Sequence, residues 1–101
     1  MIKASYEAND DRYLSLEVSG HAEFSEFGKD LICASVSSIM FGFMNALDEL
    51  HENVEIRQST NKIAIINKSE SDVVQDYFEL VMMQLKTIEE SYGDFIKVER
   101  K

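Results

Sequence analysis

The apolar residues of the chain follow two different spacings, and the order of these spacings limits the folds that the chain can adopt. In residues 2–8 and 14–18, apolar and polar residues alternate. This period of two is typical of strands that bury one face. The polar residues 9–12 between the two segments predict a turn, so the chain is predicted to begin with a β-hairpin.

From Asp30 onward, apolar residues recur at every third or fourth position, which is the spacing of one helix face. Apolar residues beside this stripe, at Ile32, Ile39 and Ala46, predict a helix that is covered on more than one side, at the centre of the core. Residues 31–47 carry no charge over 17 positions, which just reaches the length of a membrane span. Because Ser, Gly and Asn interrupt this run, we expect a core helix instead. The predicted stripe comprises Cys33, Val36, Met40, Phe43, Leu47 and Leu50.

A second amphipathic helix is predicted in the C-terminal half. It begins near Ser69 or Ser71, either of which would cap it, and Gly93 stands where a C-terminal glycine is expected. Charged residues lie mostly off its apolar stripe, so this helix should cover one face of a sheet. The stripe comprises Val74, Phe78, Val81, Leu85, Ile88 and Tyr92.

The remaining segments of the C-terminal half have strand patterns. Residues 54–58 and 62–67 predict a second hairpin around a turn at 59–61, and residues 95–100 predict a last strand. The predicted order is ββαββαβ. It predicts an α+β fold of two layers, in which a buried central helix and a second amphipathic helix cover a mostly antiparallel sheet. The length favours a single domain, residues 1–101.

Composition favours a cytoplasmic protein and disfavours two classes of partner. Cys33 is the only cysteine, so no internal disulfide can form, and no signal segment precedes the first strand pattern. The formal net charge of −9 disfavours binding to nucleic acid, whose phosphates attract basic surfaces. An acidic surface attracts a basic peptide or protein, but the same charge can also serve solubility alone. Composition leaves these two interpretations open, and it predicts no contact with a membrane.

Cys33 is a candidate nucleophile because of its place in the first predicted helix. With Asp30 as the N-cap, Cys33 would lie in the first turn, near the unpaired N–H groups and the positive end of the helix dipole. Such a position favours the thiolate, which is the reactive form of cysteine. The same spacing also fits a small buried residue that continues the stripe to Val36 and Met40. Spacing does not decide between the two.

His21 is a candidate base for this thiol. It follows Gly20, which lets the chain turn at the end of the second strand, and it precedes Cys33 by twelve residues. The loop of residues 20–29 is long enough to fold the imidazole over the start of the helix. An exposed histidine at a strand end is the alternative interpretation. His51, near the end of the first helix, fits a cation at a helix C-terminus better than a catalytic group.

Other types of chemistry have little support in the sequence. The chain has no CxxC motif, no glycine-rich phosphate loop and no closely spaced His and Cys ligands. We therefore expect no metal and no cofactor. Phe24 and Phe27 in the loop could line an apolar groove for a peptide or pack into the core, and the sequence favours neither.

Two motifs around the candidate residues carry a resemblance to a known family. The first is Gly20-His21-Ala22, and the second, after a short loop, runs from Gly28 through Asp30 and Cys33 to Ser37 in the order GKDLICASVS. These motifs resemble the signature of the ribosomal-processing cysteine protease family, usually called Prp. Every position of the family pattern is matched without a gap, and the predicted element order and the length agree over the whole chain.

The resemblance implies a function and a set of site residues. It implies a cytoplasmic endopeptidase that removes the short N-terminal extension of large-subunit ribosomal protein twenty-seven during ribosome assembly. In the family, adjacent aromatic residues precede the cut and the substrate is basic; the family also forms homodimers. The position of Cys33 is that of the nucleophile and His21 that of the base. The supporting positions are Asp30, Ser37, Gly20 and Gly28, with Phe24 and Phe27 as candidates for the substrate groove.

Two other functions stay open at this point. The chain could be a non-catalytic acidic module that binds a basic ribosomal or assembly partner, with Cys33 as a core residue. It could also carry a regulatory thiol at Cys33, which would not require His21. No third catalytic residue can be identified from the sequence.

Overall fold

The computed structural model describes residues 1–20 and 29–101, except for the side chains of Lys29 and Asp30. Its seven elements follow the predicted order ββαββαβ. The strand bounds differ from those predicted by at most two residues. The elements are β1 (Ile2–Asn9), β2 (Arg12–Ser19), α1 (Lys29–Leu50), β3 (Val54–Ser59), β4 (Lys62–Asn67), α2 (Asp72–Tyr92) and β5 (Ile96–Arg100).

The strands form one mixed sheet in the order β3-β4-β2-β1-β5. All neighbouring pairs are antiparallel except β1 and β5, which confirms the mostly antiparallel sheet predicted from the sequence. Alternate strand residues point toward the two helices and supply seven of the eighteen buried core residues in the described part of the chain. On this inner face the fully buried strand residues are Ile2, Ala4, Leu16, Val18, Ile63, Ile65 and Ile96.

The predicted apolar stripe of α1 is buried from Cys33 to Leu47, but the rest of the helix is only partly covered by other elements. α1 contributes six buried residues to the core: Ile32, Cys33, Val36, Met40, Phe43 and Leu47. Ile32 is buried, and Ile39 and Ala46, beside the stripe, are half-buried, whereas the opposite face is open, with Leu31 66% exposed and Phe41 45% exposed. By length and hydropathy, Leu31–Leu50 is the one helix among the described residues that could cross a membrane. Its buried stripe is what a core helix of this composition would show.

The predicted apolar stripe of α2 is buried over most of the helix length. Ser71, rather than Ser69, is the N-cap, and its Oγ accepts a hydrogen bond from the N–H of Val74. Tyr92 is 46% exposed, so its prediction as a buried residue was wrong. It lies in the last helical turn, beyond which Ile96 fills this end of the core.

Gly93 ends α2 as predicted, but not for the expected conformational reason. Its φ is −60°, in the right-handed region that any residue adopts. A Cβ at this position would lie 3.1 Å from the carbonyl oxygen of Glu89, so close packing favours glycine here.

The path of the chain places the start of α1 at one end of the sheet. β2 and β3 are both antiparallel to β4 and therefore parallel to each other, and α1 connects them across β4. Ser19, Lys62 and Ser59 lie side by side at the end of these three strands. The N-terminal turns of α1, with Cys33, begin at this end of the sheet.

Candidate functional site

Cys33 lies in the core, near the start of α1. It is the fifth residue of the helix and only 2% exposed. It belongs to the same buried cluster as Ile2, Val18 and Ile63. The two interpretations from the sequence therefore coexist at this position, because the residue continues the buried stripe and also lies close to the helix N-terminus.

The helix begins two residues earlier than an N-cap at Asp30 predicts, and this corrects the role of Asp30. Because α1 starts at Lys29, Asp30 lies within the first turn and is not the N-cap. The N–H groups that lack an acceptor within the helix belong to residues 29–32, so that of Cys33 is not among them.

Ser37 lies one helical turn beyond Cys33. Residues four apart share a helix face, so Ser37 and Cys33 point to the same side of α1. Ser37 is half-buried. This matches the placement predicted from the sequence, while the contribution of Ser37 to a site stays a prediction.

Gly20 is held in a conformation that requires glycine. Its φ is +86°, and a Cβ would lie 2.3 Å from the carbonyl oxygen of Met1. Its N–H donates a 3.2 Å hydrogen bond to the carbonyl oxygen of Asn61. The chain is therefore clamped between the start of β1 and the β3–β4 turn just before His21. Sequence analysis missed Met1 and Asn61 because both contribute through the backbone alone.

Four of the predicted site residues lie outside the described residues. They are His21, Phe24, Phe27 and Gly28. The geometry of a Cys33–His21 pair and the lining of an apolar groove therefore stay predictions.

His51 lies at the far end of α1 from the thiol. It follows the last helical residue with a φ of 54°, and its N–H donates to the carbonyl oxygen of Asp48 at 3.2 Å. It is 18 residues from Cys33 along the sequence. Since an α-helix rises about 1.5 Å per residue, the two are about 27 Å apart. His21 is the only other histidine of the chain, so a Cys–His pair within one chain requires it.

The shifted ionisable groups of the described residues lie on strands and not near Cys33. A hydrogen bond from Lys62, 3.1 Å away, holds the pKa of Glu17 below its ordinary value, and Lys101 assists. Hydrogen bonds from Lys68 and Arg57 lower the pKa of Glu55 in the same way. Both carboxylates lie on the outer face of the sheet, which the helices leave open, so these pairs are structural. Within residues 1–20 and 29–101, no three His, Cys, Asp or Glu side chains are arranged to hold a metal.

The described residues form four main depressions, one of which, about 370 Å³, lies around Tyr6 and Arg100. The largest, about 620 Å³, lies on the outer face of the sheet around Glu17 and Lys62. A second, about 360 Å³, lies between α1 and α2 and includes Ile39 and Leu80. A third, about 260 Å³, lies between the end of α1 and β3. Size alone does not identify the site, because the largest depression lies on the face that Cys33 does not share.

Comparison with known sequences identifies one family. The profile of the family described as "Cysteine protease Prp" matches residues 1–97. A protein of Staphylococcus aureus named "Ribosomal processing cysteine protease Prp" is 30% identical, and the match covers 100% of both chains. The protein of the same name from Bacillus subtilis is 31% identical, over 97% of this chain and 96% of the relative.

Comparison with solved structures leads to the same family. A crystal structure of Prp from S. aureus in complex with a substrate peptide has a TM-score of 0.92 and 28% identity, with 100% of both chains covered. A second, in complex with a covalently linked product peptide, has a TM-score of 0.88 and 29% identity with the same coverage. The α+β fold of this chain is thus the fold of these structures.

Proposed function

The chain belongs to the Prp family and is therefore a cysteine-type peptidase, and we propose that it removes the short N-terminal extension of large-subunit ribosomal protein twenty-seven during ribosome assembly. The observation that carries this proposal is the unbroken pair of motifs that places the only cysteine of the chain near the start of α1. The names of the relatives, which refer to ribosomal processing, support it.

In this proposal, Cys33 is the nucleophile and His21 its base. His21 accepts the thiol proton, and the thiolate attacks the carbonyl carbon of the scissile peptide bond. The bond breaks as His21 returns the proton to the leaving amine, which leaves the N-terminal fragment on Cys33 as a thioester. Water then hydrolyses the thioester and restores the thiol. The covalently linked product peptide of the S. aureus relative supports a step of this kind.

The burial of Cys33 adds a condition to this mechanism. A side chain that is 2% exposed cannot reach a peptide carbonyl without a change in its surroundings. We therefore propose that binding of the substrate uncovers the thiol. A covered thiol would also be protected from oxidants between turnovers.

Three further properties belong to the same proposal. The charge of −9 would attract a basic extension, and location in the cytoplasm would keep Cys33 reduced. We also propose that the protein forms a homodimer. The exposed apolar side chains on α1 and α2, including Phe41, Leu80 and Met83, support a contact between subunits, which light scattering in solution would test.

Cleavage of an extension peptide tests the proposed function. The protein is incubated with a synthetic peptide that spans the extension and the first residues of the mature ribosomal protein, and the products are identified by mass spectrometry. We expect a single cut at the end of the extension. A scrambled peptide of equal charge is the control and should stay intact. An uncut extension peptide would overturn the assigned substrate.

The non-catalytic alternative makes a different prediction about the thiol. If Cys33 served only as a core residue, iodoacetamide would alkylate it slowly and the peptide would not change the rate. In the proposed peptidase, bound peptide uncovers the thiol, so a non-cleavable peptide should change the alkylation rate of Cys33. A regulatory thiol would react without any dependence on His21.

A further inference from the structure

One edge of the sheet is open alongside the helix that carries Cys33. Within residues 1–20 and 29–101, β3 pairs with β4 alone. Residues 56–59 are exposed, Ile56 at 40%. Because α1 crosses above β4, this open edge runs beside α1. Its end at Ser59 lies at the same end of the sheet as the start of the helix.

The backbone groups that face this edge follow from the hairpin geometry. The residues that flank the two-residue turn at 60–61 form a hydrogen-bonded pair, and such pairs alternate along the hairpin. A 3.0 Å hydrogen bond from Lys68 N–H to the Asn53 carbonyl oxygen fits the same series. The N–H and C=O groups of Ile56 and Gln58 therefore point away from β4. They are available to a further strand.

The side chains along this edge are uncharged on the side of α1. The charges of β3 lie on the outer face, where Glu55 is paired with Arg57 and Lys68. On the inner side, Ile56 borders the depression of about 260 Å³ at the end of α1. Edge strands are commonly protected by proline, inward-pointing charge or a bulge, and β3 shows none of these in its regular pairing with β4.

Acidic side chains border the same depression. Asp48 and Glu52 line it together with His51 and the apolar Leu47 and Val54, so the acidic side chains outnumber the one histidine. An extended chain with apolar residues and a basic residue would match this lining in both polarity and charge.

We propose that the substrate binds as an added strand on the open edge of β3, bonded to the backbone of Ile56 and Gln58, with a basic side chain near Asp48 and Glu52. This inference rests on the proposed peptidase function and specifies how its substrate is held. Strand addition is a common mode of peptide recognition, in which the backbone supplies affinity and alternate side chains supply specificity. β3 spans about 20 Å at about 3.4 Å per residue, so a segment of about six residues would be bound with one end beside the start of α1.

A proline on β3 tests the proposal. Gln58→Pro removes the outward N–H and leaves the hydrogen bonds to β4 intact, which edge strands tolerate. The matched control is Gln58→Ala, which removes the same side chain and keeps the N–H. Both are made in Cys33→Ala protein, and fluorescence anisotropy measures binding of the labelled extension peptide. We expect Gln58→Pro to weaken binding by about tenfold relative to Gln58→Ala. Equal affinities, with both variants folded by circular dichroism, would overturn the proposal.

Modified substrates provide a test that does not depend on the folding of a variant. Extension peptides are N-methylated at one backbone amide at a time and offered to the wild-type protein. Added-strand binding predicts that kcat/KM falls at every second residue over about six positions, because alternate amides face β3. Losses without this period of two would contradict strand addition while cleavage itself continued. If the unmodified peptide were bound but not cut, the peptidase proposal would fail instead, and the anisotropy result would still decide the binding mode.

Discussion

A side chain at position 20 has no room, because the carbonyl group of Met1, just before β1, occupies the space where its Cβ would lie. Gly20 directly precedes His21 in the sequence. The other histidine, His51, lies at the end of α1 that is far from Cys33. Two adjacent positions therefore matter at the residue scale: Gly20, which shapes the backbone, and His21, the proposed base.

Gly20→Ala should destabilise the protein by roughly 1–3 kcal/mol or more, since alanine must adopt a φ of +86° and displace the Met1 carbonyl. Gly42→Ala in α1 is the control. Nothing lies within 4 Å of a Cβ at that position, so this variant should be stabilised by up to about 1 kcal/mol. Thermal unfolding measures both changes. A Gly20→Ala protein as stable as the wild type would show that neither the positive φ nor the nearby Met1 carbonyl restricts this residue.

His21→Ala should slow peptide cleavage by about 10²–10⁴-fold, which is the usual contribution of general acid–base assistance. His51→Ala is the control and should retain wild-type kcat, because His51 is about 27 Å from Cys33. Steady-state kinetics with the extension peptide measure both variants. If His21→Ala cleaved the peptide at nearly the wild-type rate, the proposed Cys33–His21 dyad would be excluded.

At the scale of the elements, periodicity predicted what one side of a helix or strand buries. The stripes on α1 and α2 are buried as expected from Val36 to Leu47 and from Val74 to Leu85. The errors lie at the ends, at Asp30 and Tyr92, where the residues beyond a helix decide what is covered. Sequence patterns carry little information about such end contacts, since these depend on segments that are distant in the chain.

Phe78→Ala should cost about 3–5 kcal/mol of unfolding free energy, because the ring is fully buried between the layers. It makes an edge contact with Phe43 at 4.9 Å and stacks on Tyr13 at 5.8 Å. Leu80→Ala, on the same helix but at a side chain that is 60% exposed, should change stability by less than about 0.5 kcal/mol. Urea unfolding of both variants checks the comparison. Similar losses in the two would contradict the assigned core face of α2.

The ion pairs on the outer face of the sheet predict a dependence of stability on pH. Lys62 holds the pKa of Glu17 below the ordinary value of 4.5, so the carboxylate stabilises the folded protein above that pH. This contribution is lost as the pH falls through the lowered pKa. Glu17→Gln should therefore be less stable than wild type at pH 7, and the difference should shrink as the pH is lowered below 4.5. A difference in urea midpoint that does not vary with pH would exclude this ion pair as its source.

At the scale of the whole molecule, the charge is divided between the two layers. The outer face of the sheet carries six basic residues and four acidic ones, so all of the excess negative charge lies elsewhere in the chain, including the two helices. The sequence alone predicted the net charge but not this division, which depends on strand register. The basic residues of the outer face are Lys3, Arg57, Lys62, Lys68, Lys97 and Lys101.

The sequence predicted the fold, the family and the two residues proposed for catalysis, because local periodicity and the two motifs carry that information. It offered burial of Cys33 and a place near the helix start as alternatives without deciding between them, and it did not predict the contacts that restrict Gly20 or the open edge of β3. Each of these depends on contacts between segments far apart in the chain, such as Met1 with Gly20.

The central claim is that Cys33 is the nucleophile of a peptidase, and cleavage of the extension peptide by Cys33→Ala and Cys33→Ser tests it most directly. Both side chains fit the space of the thiol, so both variants should fold, as circular dichroism would verify. Neither can form a thiolate, so mass spectrometry should find no product where the wild type cuts the peptide completely. Continued cleavage by folded Cys33→Ala at the wild-type position would contradict the account.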